Sequence, residues 1–149
     1  MKNKETRYQE LLTEVEGLVT GENDEIANMA NIAAAIYAKF GFHWVGFYRV
    51  VGEELVLGPF QGPVACTRIA FGRGVCGTAW KEARTLIVPD VDQFPGHIAC
   101  SALSRSEIVI PIERAGDVEA ELDIDSAELD TFDAVDDLWL TRILAAAYK

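Results

Sequence analysis

Three cysteines, Cys66, Cys76 and Cys100, are the residues of this sequence best suited to chemistry. An odd number of cysteines does not fit a framework of structural disulfides. No two of them form a Cys-x-x-Cys pair, and the chain has only two histidines, so the sequence gives poor support for a metal site. Two interpretations remain: the thiols pack as small apolar side chains, or they carry redox chemistry.

The surroundings of the three cysteines differ. Cys100 lies in an irregular segment predicted over residues 90–106, and loops of this length often carry function. Cys76 follows Arg73 at the predicted start of a short helix, where the helix terminus and the arginine would both lower a thiol pKa. Its small apolar neighbours favour a packed turn instead. Cys66 precedes a predicted strand and is a candidate resolving thiol if the fold brings it within about 7 Å of Cys100.

Three carboxylates form a second constellation. Glu107 begins one predicted strand, and Asp123 and Asp125 alternate with apolar residues at the end of the next. Side chains two apart in a strand share a face, so the three acids can form one cluster. That cluster is either a solvated sheet edge or the lining of a pocket. In a pocket, burial and repulsion would raise at least one pKa, leaving a neutral acid as a proton donor and an anion for an ammonium group.

Two aromatic residues and one histidine complete the set of candidates. Trp44 and Tyr48 lie four apart in a predicted strand and therefore share a face. They are either a pair of core aromatics or the wall of an apolar pocket. His97, three residues before Cys100, is a candidate base or a hydrogen-bonding residue of the loop.

The elements that must position these residues follow from periodicity and turn signals. Helices are predicted over about 4–19, 24–40 and 75–82 and from about 133, and strands over 43–51, 54–57, 67–71, 85–88, 107–113 and 118–125. Residues 58–63 are predicted to be a loop, because two glycines and two prolines interrupt the ladder. Hairpin-like connections predict an α+β fold, an α/β sandwich. Its central, mainly antiparallel sheet would have the N- and C-terminal helices packed beside it, in a single domain over 1–149.

The charge and hydropathy of the sequence limit the classes of partner that we expect the protein to bind. A net charge of −11, from 13 basic and 24 acidic residues, predicts that the protein does not bind nucleic acid. No apolar run approaches the roughly 20 residues needed to span a bilayer, and the polar N-terminus does not read as a secretory signal. We therefore expect no membrane partner and a cytoplasmic location.

Five segments together resemble the free methionine-(R)-sulfoxide reductases, which are small single-domain GAF proteins. The segments are LGPFQG at 57–62, GRGVCGTA at 72–79, GHIAC at 96–100, SRSEIV at 104–109 and LDIDS at 122–126. The resemblance runs from the first helix to the last. It implies reduction of free L-methionine-(R)-sulfoxide to methionine through a cysteine sulfenic acid and an intramolecular disulfide.

The resemblance also implies a role for each thiol. Cys100 matches the catalytic nucleophile, Cys66 the resolving cysteine, and Cys76 a third cysteine with an auxiliary role. The sequence alone leaves open whether Cys66 or Cys76 pairs with Cys100 on oxidation.

The remaining site residues are implied in the same way. Glu107, Asp123 and Asp125 match acids that contact the substrate, with Glu107 or Asp125 as the acid at the sulfoxide oxygen. Trp44 and Tyr48 match aromatic residues of the pocket. The family implies no cofactor, an external reductant (thioredoxin or another thiol) and a cytoplasmic homodimer active under oxidative stress.

The alternative is a GAF module that binds a small ligand or senses redox state without turnover. A chromophore-linking cysteine in such modules is commonly followed by histidine, whereas Ser101 follows Cys100. The sequence also departs from the reductase pattern before the LDIDS motif, where Glu119 and Glu121 replace apolar residues. These acids have the same parity as the aspartates, so they would strain a buried face unless they are solvated or paired.

Overall fold

The structure is a computed structural model that describes residues 2–97 and 103–148. Within these ranges the chain forms four α-helices and one six-stranded sheet. The helices are α1 (Lys4–Val19), α2 (Glu25–Phe40), α3 (Gly74–Glu82) and α4 (Ala134–Ala147), and the strands are β1 (Trp44–Val51), β2 (Glu54–Gln61), β3 (Arg68–Ala70), β4 (Leu86–Val88), β5 (Ser106–Arg114) and β6 (Asp117–Ser126). All neighbouring strands are antiparallel in the order β3-β2-β1-β6-β5-β4. The predicted α+β fold with an antiparallel sheet is confirmed.

The predicted helix boundaries follow from capping residues. The Asp24 side chain accepts a hydrogen bond of 2.9 Å from the Ala27 amide and so begins α2. Gly41 ends that helix in the left-handed conformation, at a φ of 66° that a residue without Cβ adopts at little cost. The side chains of Asp133 and Asp136 form a reciprocal capping box at the start of α4.

Helices α1, α2 and α4 cover one face of the sheet with a large apolar core. This core includes Tyr8, Leu11, Val15, Met29, Ile32, Ile36, Phe47, Ile110, Leu122, Ile124, Leu140 and Ile143. The two terminal helices lie beside the sheet, as predicted, and they also pack against each other. The buried Tyr8 hydroxyl of α1 donates to Asp136 of α4 at 2.5 Å, and Lys4 pairs with the same carboxylate at 2.7 Å.

The opposite face of the sheet carries α3 and a second, smaller core. Its buried members are Trp44, Tyr48, Leu55, Ile69, Val75, Cys76, Ala79, Leu86, Val88, Val91 and Val109. Alternation along β1 divides its residues between the two cores, because successive side chains point to opposite faces. Every described candidate site residue belongs to the face that carries α3.

The prediction of a loop over residues 58–63 is wrong for its first part, since β2 continues to Gln61. Gly46 pairs with Phe60 and Tyr48 pairs with Leu57, so Gly58 and Pro59 together oppose the single residue between Gly46 and Tyr48. This bulge accommodates Pro59, which has no amide hydrogen to donate to a ladder. The extended strand therefore places Phe60 beside β1.

Over residues 2–97 and 103–148, no helix combines the length and apolar character that crossing a bilayer requires.

Candidate active site

A pocket lies between α3 and the ends of β1, β5 and β6. Its lining is formed by Trp44, Tyr48, Val64, Ala65, Ile69, Arg73, Gly74, Val75, Cys76, His97, Ser104, Glu107, Asp123 and Asp125. The sequence candidates in this list come from separate parts of the chain and meet here. Cys66 follows the lining residue Ala65 and packs against the same core. Cys100 belongs to residues 98–102, which lie outside the described residues.

Strand pairing brings the three predicted carboxylates together. Glu107 of β5 lies opposite Asp125 of β6, and Asp123 pairs with Val109, two residues further along β5. Glu107 and Asp123 are only 6% and 5% exposed, and Asp125 is partly buried. The acids are therefore the lining of a pocket, and the interpretation as a solvated sheet edge is wrong.

Burial controls the protonation of these acids. It raises the pKa of Glu107 well above its ordinary value, and the negative charges of Asp123 and Asp125 raise that pKa further. Burial also raises the pKa of Asp123 and, together with the charge of Asp123, that of Asp125. Hydrogen bonds from Glu107 favour the ionised form of both aspartates. Glu107 is therefore the neutral acid, and it donates toward the two aspartates.

The hydrogen bonding of Asp123 is incomplete among the described residues. Among the described residues, Oδ1 of Asp123 is buried and accepts no hydrogen bond. A buried carboxylate oxygen in this state costs free energy until a donor or a cation reaches it. Asp123 can therefore accept a hydrogen bond from a positively charged group in the pocket.

Cys76 is buried at the start of α3, where it is 4% exposed and its thiol is free. Its Sγ lies 4.0 Å from Oε2 of Glu107. Burial raises the pKa of Cys76 well above its ordinary value, and the negative charge of Asp123 raises that pKa further. The expectation that the helix terminus and Arg73 lower this pKa is wrong, because burial beside carboxylates outweighs them.

Trp44 and Tyr48 form the aromatic wall, with ring centroids 6.0 Å apart. Trp44 Nε1 donates to the Pro63 carbonyl at 3.0 Å, and the Tyr48 hydroxyl donates to the Cys66 carbonyl at 2.8 Å. Both rings therefore hold the backbone of the segment that carries Cys66. The Cys66 sulfur is disulfide-bonded in this structure.

Two residues of this wall were missed in the sequence. Phe60 stacks against Trp44 with ring centroids 5.3 Å apart. Gly46 lies beneath the indole, where an added Cβ would be 2.4 Å from Phe60 Cβ and 2.5 Å from Trp44 Cη2. Glycine between two aromatic positions of a strand is the signal for this close approach.

Comparison with known proteins identifies the family to which the chain belongs. The sequence profile of the GAF domain matches residues 24–146. GAF domain-containing protein A of Dictyostelium discoideum is 60% identical over 143 residues, which cover 95% of this chain and 90% of that protein. The free methionine-R-sulfoxide reductase of Escherichia coli is 41% identical over 148 residues, which cover 99% of this chain and 90% of that protein.

A solved structure extends the likeness to the fold. The X-ray structure of free methionine-R-sulfoxide reductase from Neisseria meningitidis, in complex with its substrate, matches this one with a TM-score of 0.97 at 50% identity. The match covers 99% of this chain and 90% of that chain. The chain is therefore a member of the free methionine-R-sulfoxide reductase family, a group of oxidoreductases built on the GAF domain.

Proposed function

We infer that this protein reduces free L-methionine-(R)-sulfoxide to methionine, with Cys100 as the attacking thiol. The observation that carries the proposal is the buried neutral acid Glu107 beside Asp123, whose Oδ1 has no partner among the described residues. A proton donor and an anion within one small pocket suit a substrate that carries both an S–O dipole and an ammonium group. The similarity to the free methionine-R-sulfoxide reductases of Escherichia coli and Neisseria meningitidis supports the same substrate.

The pocket offers complementary contacts for the ammonium group and the S-methyl group of this substrate. Asp123 accepts hydrogen bonds from the α-ammonium group, and Asp125 adds a second negative charge. The rings of Trp44 and Tyr48 contact the S-methyl group, because sulfur–aromatic contacts are favourable. A buried ammonium site excludes a methionine sulfoxide within a protein chain, whose nitrogen is an uncharged amide.

The reaction needs one proton donor and two thiols. The Cys100 thiolate attacks the sulfoxide sulfur while Glu107 gives its proton to the oxygen, and Asp125 is the second candidate acid. The oxygen passes to Cys100 as sulfenic acid, and methionine leaves with the sulfur electron pair. The thiol of Cys66 then condenses with the sulfenic acid, which forms a disulfide and releases water.

Cys66 is a better candidate than Cys76 for the resolving thiol. Cys66 is disulfide-bonded and Cys76 is a free thiol in the same structure. Burial and acidic neighbours also keep the Cys76 pKa high, so that this thiol is a poor nucleophile near neutral pH. Cys76 then has an auxiliary role in the lining of the pocket.

The oxidised enzyme is returned to its dithiol form by an external thiol, for which thioredoxin is the proposed reductant. No cofactor takes part, because both electrons come from the cysteine pair. We further propose a cytoplasmic homodimer that acts under oxidative stress.

A coupled assay tests the function directly. Reduced protein is incubated with thioredoxin, thioredoxin reductase and NADPH, and NADPH oxidation is followed with each resolved diastereomer of free methionine sulfoxide. The R form should be consumed, while the S form and a methionine sulfoxide peptide should not. If the pure protein did not turn over the R form, the proposed function would be wrong.

Cys100→Ser provides the matched inactive protein for this assay. The variant should lose turnover and keep the circular dichroism spectrum and thermal midpoint of the parent. If it turned over at the parent rate, Cys100 would not be the nucleophile. A protein that bound the sulfoxide without turning it over would instead support the alternative of a ligand-binding or redox-sensing GAF module.

A further inference from the structure

Three donor atoms of two kinds, one thiol sulfur and two carboxylate oxygens, converge in the pocket. Sγ of Cys76 and one carboxylate oxygen each from Glu107 and Asp123 all lie within 4.8 Å of one another. The three residues are 4%, 6% and 5% exposed. A set that includes a thiolate suits a soft or borderline divalent cation, because thiolate sulfur discriminates against Mg²⁺ and Ca²⁺.

Each donor is carried by a separate rigid element. Cys76 lies in the first turn of α3, Glu107 at the start of β5 and Asp123 near the end of β6. Positions fixed by three packed elements lose little conformational entropy when an ion binds. The strand register that places Asp123 against Val109 sets the spacing of the two carboxylates across the hairpin.

Asp123 and Cys76 have hydrogen-bonding capacity that the described residues do not use fully. Oδ1 of Asp123 has no hydrogen-bond partner within residues 2–97 and 103–148. The contact between Cys76 Sγ and Glu107 Oε2 is long, at 4.0 Å. This unsatisfied oxygen, more than nine-tenths buried and on the pocket wall, independently indicates a positively charged occupant.

We propose that Cys76, Glu107 and Asp123 bind a thiophilic divalent cation, with Zn²⁺ as the natural ion and the pocket side open for a fourth ligand. Bond lengths of about 2.3 Å to sulfur and about 2.0–2.2 Å to oxygen require the donors to approach by rotation of their side chains. Binding forms one metal–sulfur and two metal–oxygen bonds and releases the thiol proton and the Glu107 proton to solvent. No electron is transferred.

This ion would occupy the position that the proposed function gives to the substrate. That consequence rests on the proposed function, because it assumes that Glu107 and Asp123 contact the sulfoxide. Ion binding itself does not depend on turnover and is measured without it.

The test uses Cd²⁺ as a spectroscopic probe. The reduced double variant Cys66→Ser/Cys100→Ser keeps Cys76 as its single thiol. We expect this protein to bind one equivalent of Cd²⁺ with a thiolate-to-metal ultraviolet band, and Zn²⁺ to displace the Cd²⁺ and remove the band. A folded double variant without the band would overturn the proposal, and so would a band that survives the further change Cys76→Ser.

Two carboxylate variants in the same background show whether Cd²⁺ is bound by the carboxylates together with Cys76 or by the Cys76 thiol alone. Asp123→Asn should weaken Cd²⁺ binding by roughly tenfold or more, as loss of a ligand does. Asp125→Asn removes the same charge from a neighbouring acid outside the donor set and should weaken binding less. An equal or larger loss with Asp125→Asn, or no loss with Asp123→Asn, would show that these carboxylates are not ligands.

Circular dichroism and thermal unfolding establish that each variant is folded before its Cd²⁺ binding is compared. If Asp123→Asn does not fold, Glu107→Gln takes its place, with the same expected weakening and the same overturning result.

Discussion

Glu107 on β5 lies directly opposite Asp125 on β6, and both side chains face the pocket. Like charges at directly opposed positions of a sheet destabilise it, yet here the two carboxyls are also largely buried. One shared proton removes the conflict, because a neutral Glu107 donates a hydrogen bond to the aspartates. The cross-strand pair therefore holds one proton, on Glu107, beside the proposed sulfoxide site.

Glu107→Gln tests whether Glu107 is the proton donor of the proposed reaction. Glutamine keeps the shape and a hydrogen-bond donor but has no proton to transfer, so kcat/KM for free methionine-R-sulfoxide should fall by about 10²- to 10⁴-fold. The measurement is the coupled NADPH assay. Glu113→Gln, at the exposed end of the same strand, is the control and should retain the parent rate. Parent activity in Glu107→Gln would remove Glu107 from the proton-transfer step.

Glu121→Gln tests an unusual buried acid. Glu121 is fully buried, neither carboxylate oxygen has a hydrogen-bond partner among the described residues, and its pKa is raised by burial and by the charge of Asp123. Because the folded pKa lies above the unfolded value of about 4.3, stabilisation is complete below about pH 4.3 and is lost as pH rises through the folded pKa. The loss is at most about 1.4 kcal/mol per pH unit.

We therefore expect Glu121→Gln to become more stable relative to the parent as pH rises from 5 to 8. Urea denaturation at several pH values measures this difference in the free energy of unfolding. Glu119→Gln is the matched control for loss of an acid from the same strand, since Glu119 is paired with Arg114 at the strand end, and Glu121→Gln should gain more stability than this control. A flat difference for Glu121→Gln would mean that its carboxyl is not held neutral by the fold.

Cys66→Ser separates the first half of the proposed reaction from the second. The variant should release one equivalent of methionine from the sulfoxide and then fail to recycle with thioredoxin, because no thiol condenses with the sulfenic acid. Quantifying methionine in single- and multiple-turnover reactions distinguishes the two stages. Cys76→Ser, measured in parallel, should keep multiple turnover. Loss of recycling in Cys76→Ser rather than in Cys66→Ser would exchange the two roles.

Gly46→Ala tests the aromatic wall. The new Cβ would meet Phe60 and Trp44 at less than 3 Å, so the indole must move, and we expect a destabilisation of about 1–3 kcal/mol together with a higher KM. Gly17→Ala in α1 is the control, because nothing lies within 4 Å of the added Cβ, and it should stabilise the protein by about 0.5–1 kcal/mol. If Gly46→Ala had the parent stability and KM, the indole position would not matter for the pocket.

Local signals made part of this structure predictable. Asp24 and Gly41 bound α2 through capping chemistry that depends on a few neighbouring residues. The period of two along β6 placed Asp123 and Asp125 on one face, as the structure has them.

Long-range features were not predictable in the same way. The extension of β2 depends on a bulge opposite β1, so residues with poor strand propensity still joined the sheet. The raised pKa of Cys76 depends on burial against Asp123 and Glu107, which belong to distant parts of the chain. Local charge at a helix terminus is a weak guide when tertiary burial opposes it.

The hydrogen bonds from Trp44 and Tyr48 both end on backbone carbonyls, those of Pro63 and Cys66. Neither bond involves the Cys66 sulfur, so neither is altered when that sulfur changes its bonding partner. In the proposed reaction, the segment would keep this attachment to the sheet whether its cysteine is a thiol or is oxidised. The aromatic pair would thus lower the reorganisation energy of the proposed redox cycle, since it holds the main chain and leaves only a short side chain to turn.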